Sequence, residues 1–191
     1  QDLLTELCAV LAFSAMQNND KIGVIFFSDK IEKFVSPQKG RTHVLRIIRE
    51  LIEFKPNNKG TDIAYALRYF NNMIKKRCTA FLISDFIDDK FDDALKIACR
   101  KHDLVAIRLY DEREMELPNV GLLNIKDSES GKTVWVDSNN KDFRNYFKTE
   151  SLKREDLLLK SFRKNGVDFT SIATHENYVK PLIDLFKRRG A

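Results

Sequence analysis

Two short runs, Thr79–Ser84 (Thr-Ala-Phe-Leu-Ile-Ser) and 104–110, are apolar almost without interruption, and a segment of helical period lies between them. A strand with one wet face alternates polar and apolar residues. A strand that does not alternate must be covered on both faces, which is the condition of a parallel sheet layered between helices. Helical periods over 2–17, 42–54, 63–74, 90–101, 139–164 and 177–188 alternate with strand runs at 22–27, 31–35, 79–84, 104–110 and 167–172. That order predicts an α/β fold, an open and mostly parallel Rossmann-like sheet with helices on both faces. The runs 122–126 and 133–136, joined by Asp-Ser-Glu-Ser-Gly-Lys, predict a β-hairpin inserted near one edge, within about 112–138. The period over 139–164 is weakest at Thr149-Glu150-Ser151, where a break is admissible, and Gly166 ends it.

The opening is unusual for this class. The first helix has no strand before it, whereas the first strand of a doubly wound sheet is usually central. One reading is that the first central strand is missing from this sequence; the other is a fold that begins on a helix. Periodicity leaves both open.

With 191 residues, 43% of them apolar and 32% charged, the chain is expected to form a single domain with a real core. No apolar run approaches the roughly 20 residues needed to span a bilayer, and no signal peptide is visible. Cys8, Cys78 and Cys99 are scattered without metal-ligand spacing and read as free thiols of a reducing compartment. The net charge of +5 raises nucleic acid or an anionic surface as partners. The basic residues are interleaved with 28 acidic ones and carry no aromatic RNA-binding signature, so solvated helix faces explain the charge better and no nucleic-acid partner is expected.

Ligands of open α/β sheets bind beyond the carboxyl ends of the strands. Ser28 and Asp29 follow the first strand; Asp85, with Asp88 and Asp89, follows 79–84; Asp111 and Glu112 follow 104–110. Thr61 and Asp62 open the helix that leads into the strand ending at Asp85. A hydroxyl and several carboxylates on one rim are hard oxygen donors of the kind magnesium takes. The plainer reading is local: Thr or Asp before a helix is commonly an N-cap, and acids at a helix start complement its dipole.

Other chemistries find less support. Gly131-Lys132-Thr133 resembles the end of a P-loop, but Lys126 stands where the leading glycine belongs, and the context is a hairpin. There is no Gly-x-Ser-x-Gly elbow. His43, His102 and His175 sit on separate elements without zinc-ligand spacing and read as structural or surface residues. Trp135 reads as a packing residue of the hairpin.

Several landmarks occur in order: Asn-Asn-Asp-Lys-Ile-Gly-Val-Ile-Phe-Phe-Ser-Asp (18–29), Lys-Gly-Arg-Thr-His-Val-Leu-Arg (39–46), Lys-Gly-Thr-Asp-Ile (59–63), Phe-Leu-Ile-Ser-Asp-Phe (81–86), Glu-Met-Glu-Leu-Pro-Asn-Val-Gly (114–121) and the closing Tyr-Val-Lys-Pro-Leu-Ile-Asp-Leu-Phe-Lys-Arg-Arg-Gly (178–190). In these the chain resembles the bacterial "domain of unknown function 58" family, whose core is a von Willebrand factor type A-like domain. The resemblance implies a metal-ion-dependent adhesion site of three parts: an Asp-x-Ser-x-Ser motif after the first strand, a threonine in a later loop and an aspartate after a later strand. Thr61 and Asp85 match the second and third parts, with Asp62 and Ser84 as supporting residues; the first part does not occur in this sequence. Magnesium is therefore expected in a full-length protein and weakly or not at all in this chain. The uncovered flanks beside a missing strand are expected to favour self-association.

The resemblance further implies an interaction module and not an enzyme. It would be a cytoplasmic, membrane-proximal adaptor that works with a MoxR-type AAA+ ATPase in protein-complex maturation or stress response. The alternative is a magnesium-dependent phosphoryl-transfer enzyme on a similar sheet, using Asp85 with Asp88 or Asp89.

Overall fold

A computed structural model describes residues 2–56, 58, 60–88, 90–126 and 133–190. Asn57, Lys59, Asp89 and the hairpin turn with Gly131 and Lys132 lie outside the described residues. The chain divides into two compact units, Gln1–Lys75 and Lys76–Ala191.

The first unit runs α1 (Asp2–Gln17), β1 (Ile22–Phe27), β2 (Ile31–Gln38), α2 (Arg41–Glu53) and α3 (Ile63–Met73). Helix α1 ends where polar Asn18-Asn19-Asp20 replaces the apolar stripe. Asn19 takes the left-handed conformation (φ 56°). Its N–H donates to Met16 O at 3.0 Å, and that of Asp20 to Ala15 O at 2.9 Å, which satisfies two carbonyls the helix end leaves orphaned. β1 and β2 form an antiparallel ribbon with register shifts between Ile22 and Val24 and between Phe26 and Phe27. Gly23 sits at the first shift, where a Cβ would come within 2.7 Å of Val35 O. Any larger residue would push the two strands apart there.

The core of this unit joins Phe26 and Val35 of the ribbon to Ile47 and Leu51 of α2, with Cys8, Ile22, Val24 and Phe54 packed against them. The Phe26 and Phe54 rings lie 4.5 Å apart. His43 is buried, its Nε2 2.9 Å from Ile22 O, so it ties α2 to the ribbon.

The second unit contains β3 (Thr79–Ser84), α4 (Asp92–Lys101), β4 (Asp103–Tyr110), a short 3-10 turn (Glu112–Glu114), β5 (Leu122–Lys126), β6 (Thr133–Asp137), α5 (Lys141–Asn165), β7 (Asp168–Ala173) and α6 (Val179–Gly190). Strands β3, β4 and β7 form a parallel sheet with β4 in the middle. Helices cover both faces, as the sequence implies. Phe81 pairs in register with Val105, and Phe169 with Ala106 one position on, so the two rings point to opposite faces. Phe186 of α6 meets Phe81 on one face; Phe162 of α5 meets Phe169 on the other. Helix α4 packs beside α5.

Some expectations are corrected. Thr79–Ser84 is only half-buried, because β3 pairs on one side only in its sheet; full burial belongs to Leu104–Ile107 of the central strand. Strands 22–27 and 31–38 pair with each other in their own antiparallel ribbon, and β5–β6 is a separate two-stranded sheet. Helix α5 runs without a break through Thr149-Glu150-Ser151, because Ser151 is buried and holds the helix to its unit there. Left-handed Gly166 (φ 67°) then ends it. Trp135 does not pack: it is 67% exposed on the hairpin.

The three cysteines are free thiols. Burial pushes the Cys8 thiol up from an ordinary 9.0 to about 11. The unfolded thiol ionises first as pH rises, so this contribution to stability is fully present below pH 9 and lost as pH climbs to about 11. At about 1.4 kcal/mol per pH unit it amounts to at most about 3 kcal/mol. Urea unfolding of the chain at pH 7 and pH 10.5 should show a smaller alkaline loss for Cys8→Ala than for the native sequence. Equal losses would place the alkaline sensitivity in other groups.

Candidate functional site

The first unit builds its polar loop from below. β1 ends at Phe27, and Ser28, directly after it, is buried. Its hydroxyl donates to Glu32 Oε1 at 2.8 Å. The same carboxylate oxygen accepts from the backbone N–H of Asn58 at 3.1 Å and from its side-chain amide at 2.9 Å. The Asp62 N–H donates to Ser28 O at 2.9 Å. Gly60 lies against Asp29, where a Cβ would stand 3.3 Å from the Asp29 side chain. The loop that carries Thr61 is therefore moored at both ends to the tip of the β1–β2 ribbon.

Asp62 is the N-cap of α3: its Oδ1 accepts from the Tyr65 N–H at 2.6 Å. The capping half of the two readings of Gly60-Thr61-Asp62 thus belongs to Asp62. Thr61, half-buried, precedes it.

In the second unit Asp85 stands just past the carboxyl end of β3. Its Oδ1 accepts from the Ile87 N–H at 3.2 Å and from the Ser84 hydroxyl at 3.3 Å. Ser84 Oγ in turn accepts from the Phe86 N–H at 3.2 Å. Between them Phe86 takes a left-handed conformation, φ 57°, which costs a bulky L-residue on the order of 1 kcal/mol or more. Its side chain offsets that cost. The ring is buried, 5.9 Å from the Phe91 ring and 5.1 Å from that of Phe162. Core packing of an aromatic side chain thus fixes the bend that presents Asp85.

The other strand ends flank this rim. Asp111, after β4, accepts from the Arg113 N–H at 2.9 Å. Glu112 lies 3.4 Å from His175, just beyond β7. Arg108 pairs with Glu155 of α5 at 2.9 Å, with its guanidinium 5.1 Å from the Tyr110 ring centroid. Burial, then the charges of Glu176 and Glu155, raise the Tyr110 phenol above its ordinary range. Asp88 turns the chain towards α4 by accepting from the Lys90 N–H at 3.0 Å.

Thr61 and Asp62 thus belong to the first unit, Ser84 and Asp85 to the second, and each pair is fixed by contacts of its own unit. Among the described residues no group of three or more His, Cys, Asp or Glu side chains is disposed to hold a metal ion. Asp85 has a carboxylate oxygen, Oδ2, beyond the one its turn uses, and carboxylate with hydroxyl is the right donor chemistry for magnesium. The histidines are not ligands of a common centre: His43 bonds a backbone carbonyl, His102 is buried with Nδ1 3.5 Å from Cys78 Sγ, and His175 pairs with Glu112.

Two residues that shape these loops escape a reading of the sequence. Glu32 lies in a strand pattern that assigns it to the wet side, and Phe86 looks like one more apolar residue after a strand.

A family model described as "Protein of unknown function DUF58" matches residues 1–156. The uncharacterized proteins Mb1516 of Mycobacterium bovis and Rv1480 of Mycobacterium tuberculosis are each 25% identical over 199 residues, spanning 100% of this chain and 62% of their own length. The chain thus corresponds to less than two thirds of those relatives. The uncharacterized protein MAV169 of Mycobacterium avium is 27% identical over 135 residues, 68% of this chain and 78% of its own. Among solved structures, the conserved hypothetical protein BatB from Bacteroides thetaiotaomicron superposes with a TM-score of 0.61 at 12% identity, over 99% of this chain and 86% of its own. An aerotolerance-related membrane protein from Bacteroides fragilis does so with a TM-score of 0.60 at 14% identity, over 96% and 85%. At such identities the likeness is one of fold. No helix among the described residues is long and apolar enough to cross a membrane.

Removing the Glu32 carboxylate takes away a charge-assisted anchor worth roughly 1.5 kcal/mol or more. In Glu32→Ala, hydrogen exchange at the Asn58 amide should accelerate about tenfold or more, while amides in the middle of α3 keep their native protection. Unchanged exchange at Asn58 would show that the loop is held by other contacts.

Proposed function

The chain belongs to the family of proteins of unknown function DUF58, and on that premise we propose that it is a protein-interaction module rather than an enzyme. Its contact surface is the carboxyl rim of the second unit around Asp85. The observation that carries this reading is the Asp85 turn. An acidic side chain is presented beyond a parallel strand, where open α/β sheets bind their ligands, by a strained residue locked into the core. A loop so pre-organised suits recognition, because less ordering entropy is lost on binding.

The von Willebrand factor A-like resemblance supplies the finer reading. Thr61 and Asp85 would each give an oxygen to a magnesium centre, with Asp62 and Ser84 holding their loops. The remaining donors would come from an Asp-x-Ser-x-Ser segment outside this sequence. A bound cation there would attract a carboxylate of the partner, a strong charge-assisted contact. The partner we propose, on the same resemblance, is a MoxR-type AAA+ ATPase, with the module acting as a cytoplasmic adaptor in protein-complex maturation or stress response.

Two measurements test this. Calorimetric titration of the chain with magnesium should give weak binding or none; micromolar affinity would mean that its own residues complete the site. A MoxR-type ATPase should be retained by the immobilised full-length protein in magnesium and released by a chelator. Asp85→Asn and Thr61→Ala should each weaken retention about tenfold or more, the scale of a lost charge-assisted contact. Retention indifferent to magnesium and to both substitutions would overturn the proposal. Hydrolysis of a phosphate ester that Asp85→Asn abolishes would replace it with an enzyme.

A further inference from the structure

The parallel sheet of the second unit has a second end. The strands β3, β4 and β7 all begin there, and α4, α5 and α6, running back against them, all finish there. The last turns of these helices carry Arg100 and Lys101, Arg163 and Lys164, and Lys187 to Arg189. Lys76 and Arg77 add two more cations just before β3. Over the segments 76–79, 99–103, 162–168 and 186–190 the only acids are Asp103 and Asp168, and Arg189 engages both.

Nine of the 33 basic residues thus meet two of the 28 acidic ones, which leaves 24 basic against 26 acidic in the rest of the chain. The whole positive excess of the protein is carried by this one edge. Complementing helix dipoles is the plain explanation for cations at helix ends, but three helix C-termini amount to only about 1.5 negative charges. The surplus is several times that.

The edge also has a shape. A cleft of about 320 Å³ is lined by Arg163, Gly166, Val167, Asp168, Phe169 and Arg188. Arg188 donates to Phe169 O at 3.1 Å, and the Arg163 guanidinium lies 6.0 Å from the Phe169 ring. Beside it on α6, Ile183 and Phe186 remain 46% and 43% exposed.

We propose that this edge docks on an anionic lipid bilayer. The basic side chains meet phosphate headgroups, the Arg163–Arg188 cleft takes one of them, and Ile183 and Phe186 lie against the headgroup boundary. Charge complementarity selects a polyanion, and the form of the edge selects the bilayer. The helices present their ends, so no helix side is offered to a nucleic-acid groove. Phe186, the aromatic ring exposed beside the arginines, is met edge-on by Phe81 and neighbours the aliphatic Ile183, so it offers no run of stacking faces for successive bases. Exposed apolar residues next to a basic cluster suit a membrane interface. Docking this way places the Asp85 rim about 20 Å further out, the length of the six-residue strand β3 that leads to it, pointing away from the lipid.

Co-sedimentation of the chain with phosphatidylcholine vesicles, with and without phosphatidylglycerol, tests this. Binding should require phosphatidylglycerol and weaken as salt rises. Each basic residue near such a surface raises partitioning about fivefold, so Arg163→Gln with Arg188→Gln should lower it roughly 25-fold. Lys164→Gln with Lys187→Gln provides the same test should the first pair disturb Phe169. Lys141→Gln with Lys148→Gln, an equal charge change in the first turns of α5, should leave binding within about twofold, since these groups lie at the opposite end of that helix from Arg163 and Lys164. Equal binding to neutral vesicles, an equal loss from the Lys141 and Lys148 pair, or tighter binding to an oligonucleotide or an acidic peptide at the same salt would each overturn the proposal.

Discussion

The central place of β4 governs the second unit. With a strand on each side and helices over both faces, Leu104 to Ile107 are sealed from water. The parallel pairing that seals them also aligns the three strands in one direction. Every strand end then falls on one rim and every helix C-terminus on the opposite edge. Asp85, Asp111 and the Glu112–His175 pair share a rim for that reason, although nothing in their spacing along the chain brings them together. The first unit has no such common direction. Its ribbon is antiparallel, and its polar loop is gathered by a single side chain, Glu32, which serves both Ser28 and Asn58.

Each loop that presents a candidate side chain is shaped by residues with no part in binding. The Asp85 turn depends on Phe86, whose left-handed backbone persists because its ring is inserted between Phe91 and Phe162. Phe162 in turn belongs to α5, far along the chain, and also touches Phe169 of β7. The position of the half-buried Asp85 carboxylate is thus coupled through a chain of rings to the core between α5 and the sheet. That coupling runs from packing to site: the turn at Asp85 cannot change its course without moving the Phe86 ring out of the core.

Much of this was legible in the sequence, and the failures have physical causes. The strands Ile22–Phe27 and Thr79–Ser84 and the helix Asp2–Gln17 can be read to the residue, because each combines a clear period with strong stop signals such as Asn18-Asn19-Asp20 and Ser84-Asp85. The capping role of Asp62 was legible as well, since a cap is a local matter of three residues. Partner choice among strands was not. An apolar run states that it must be covered but not by what, so β1 pairing with β2 and the half-burial of β3 had to come from the fold. Glu32 and Phe86 were invisible for a related reason: their roles depend on a hydroxyl, an amide and rings brought together only by tertiary structure.

Charge shows the same limit more sharply. Along the sequence, acidic and basic residues alternate closely enough to suggest solvated helix faces. Folding sorts them. Helices returning against parallel strands carry their last turns to one edge, and in α4, α5 and α6 those last turns hold basic residues, while Asp92, Asp93 and Asp142 open α4 and α5 at the other end. Each placement is favourable by itself through the helix dipole. In a sheet whose strands all point one way these local preferences add instead of cancelling, and a chain with a modest net charge acquires an acidic rim and a strongly basic base. Polarity of this kind is a property of parallel topology, and it gives the second unit two chemically distinct ends.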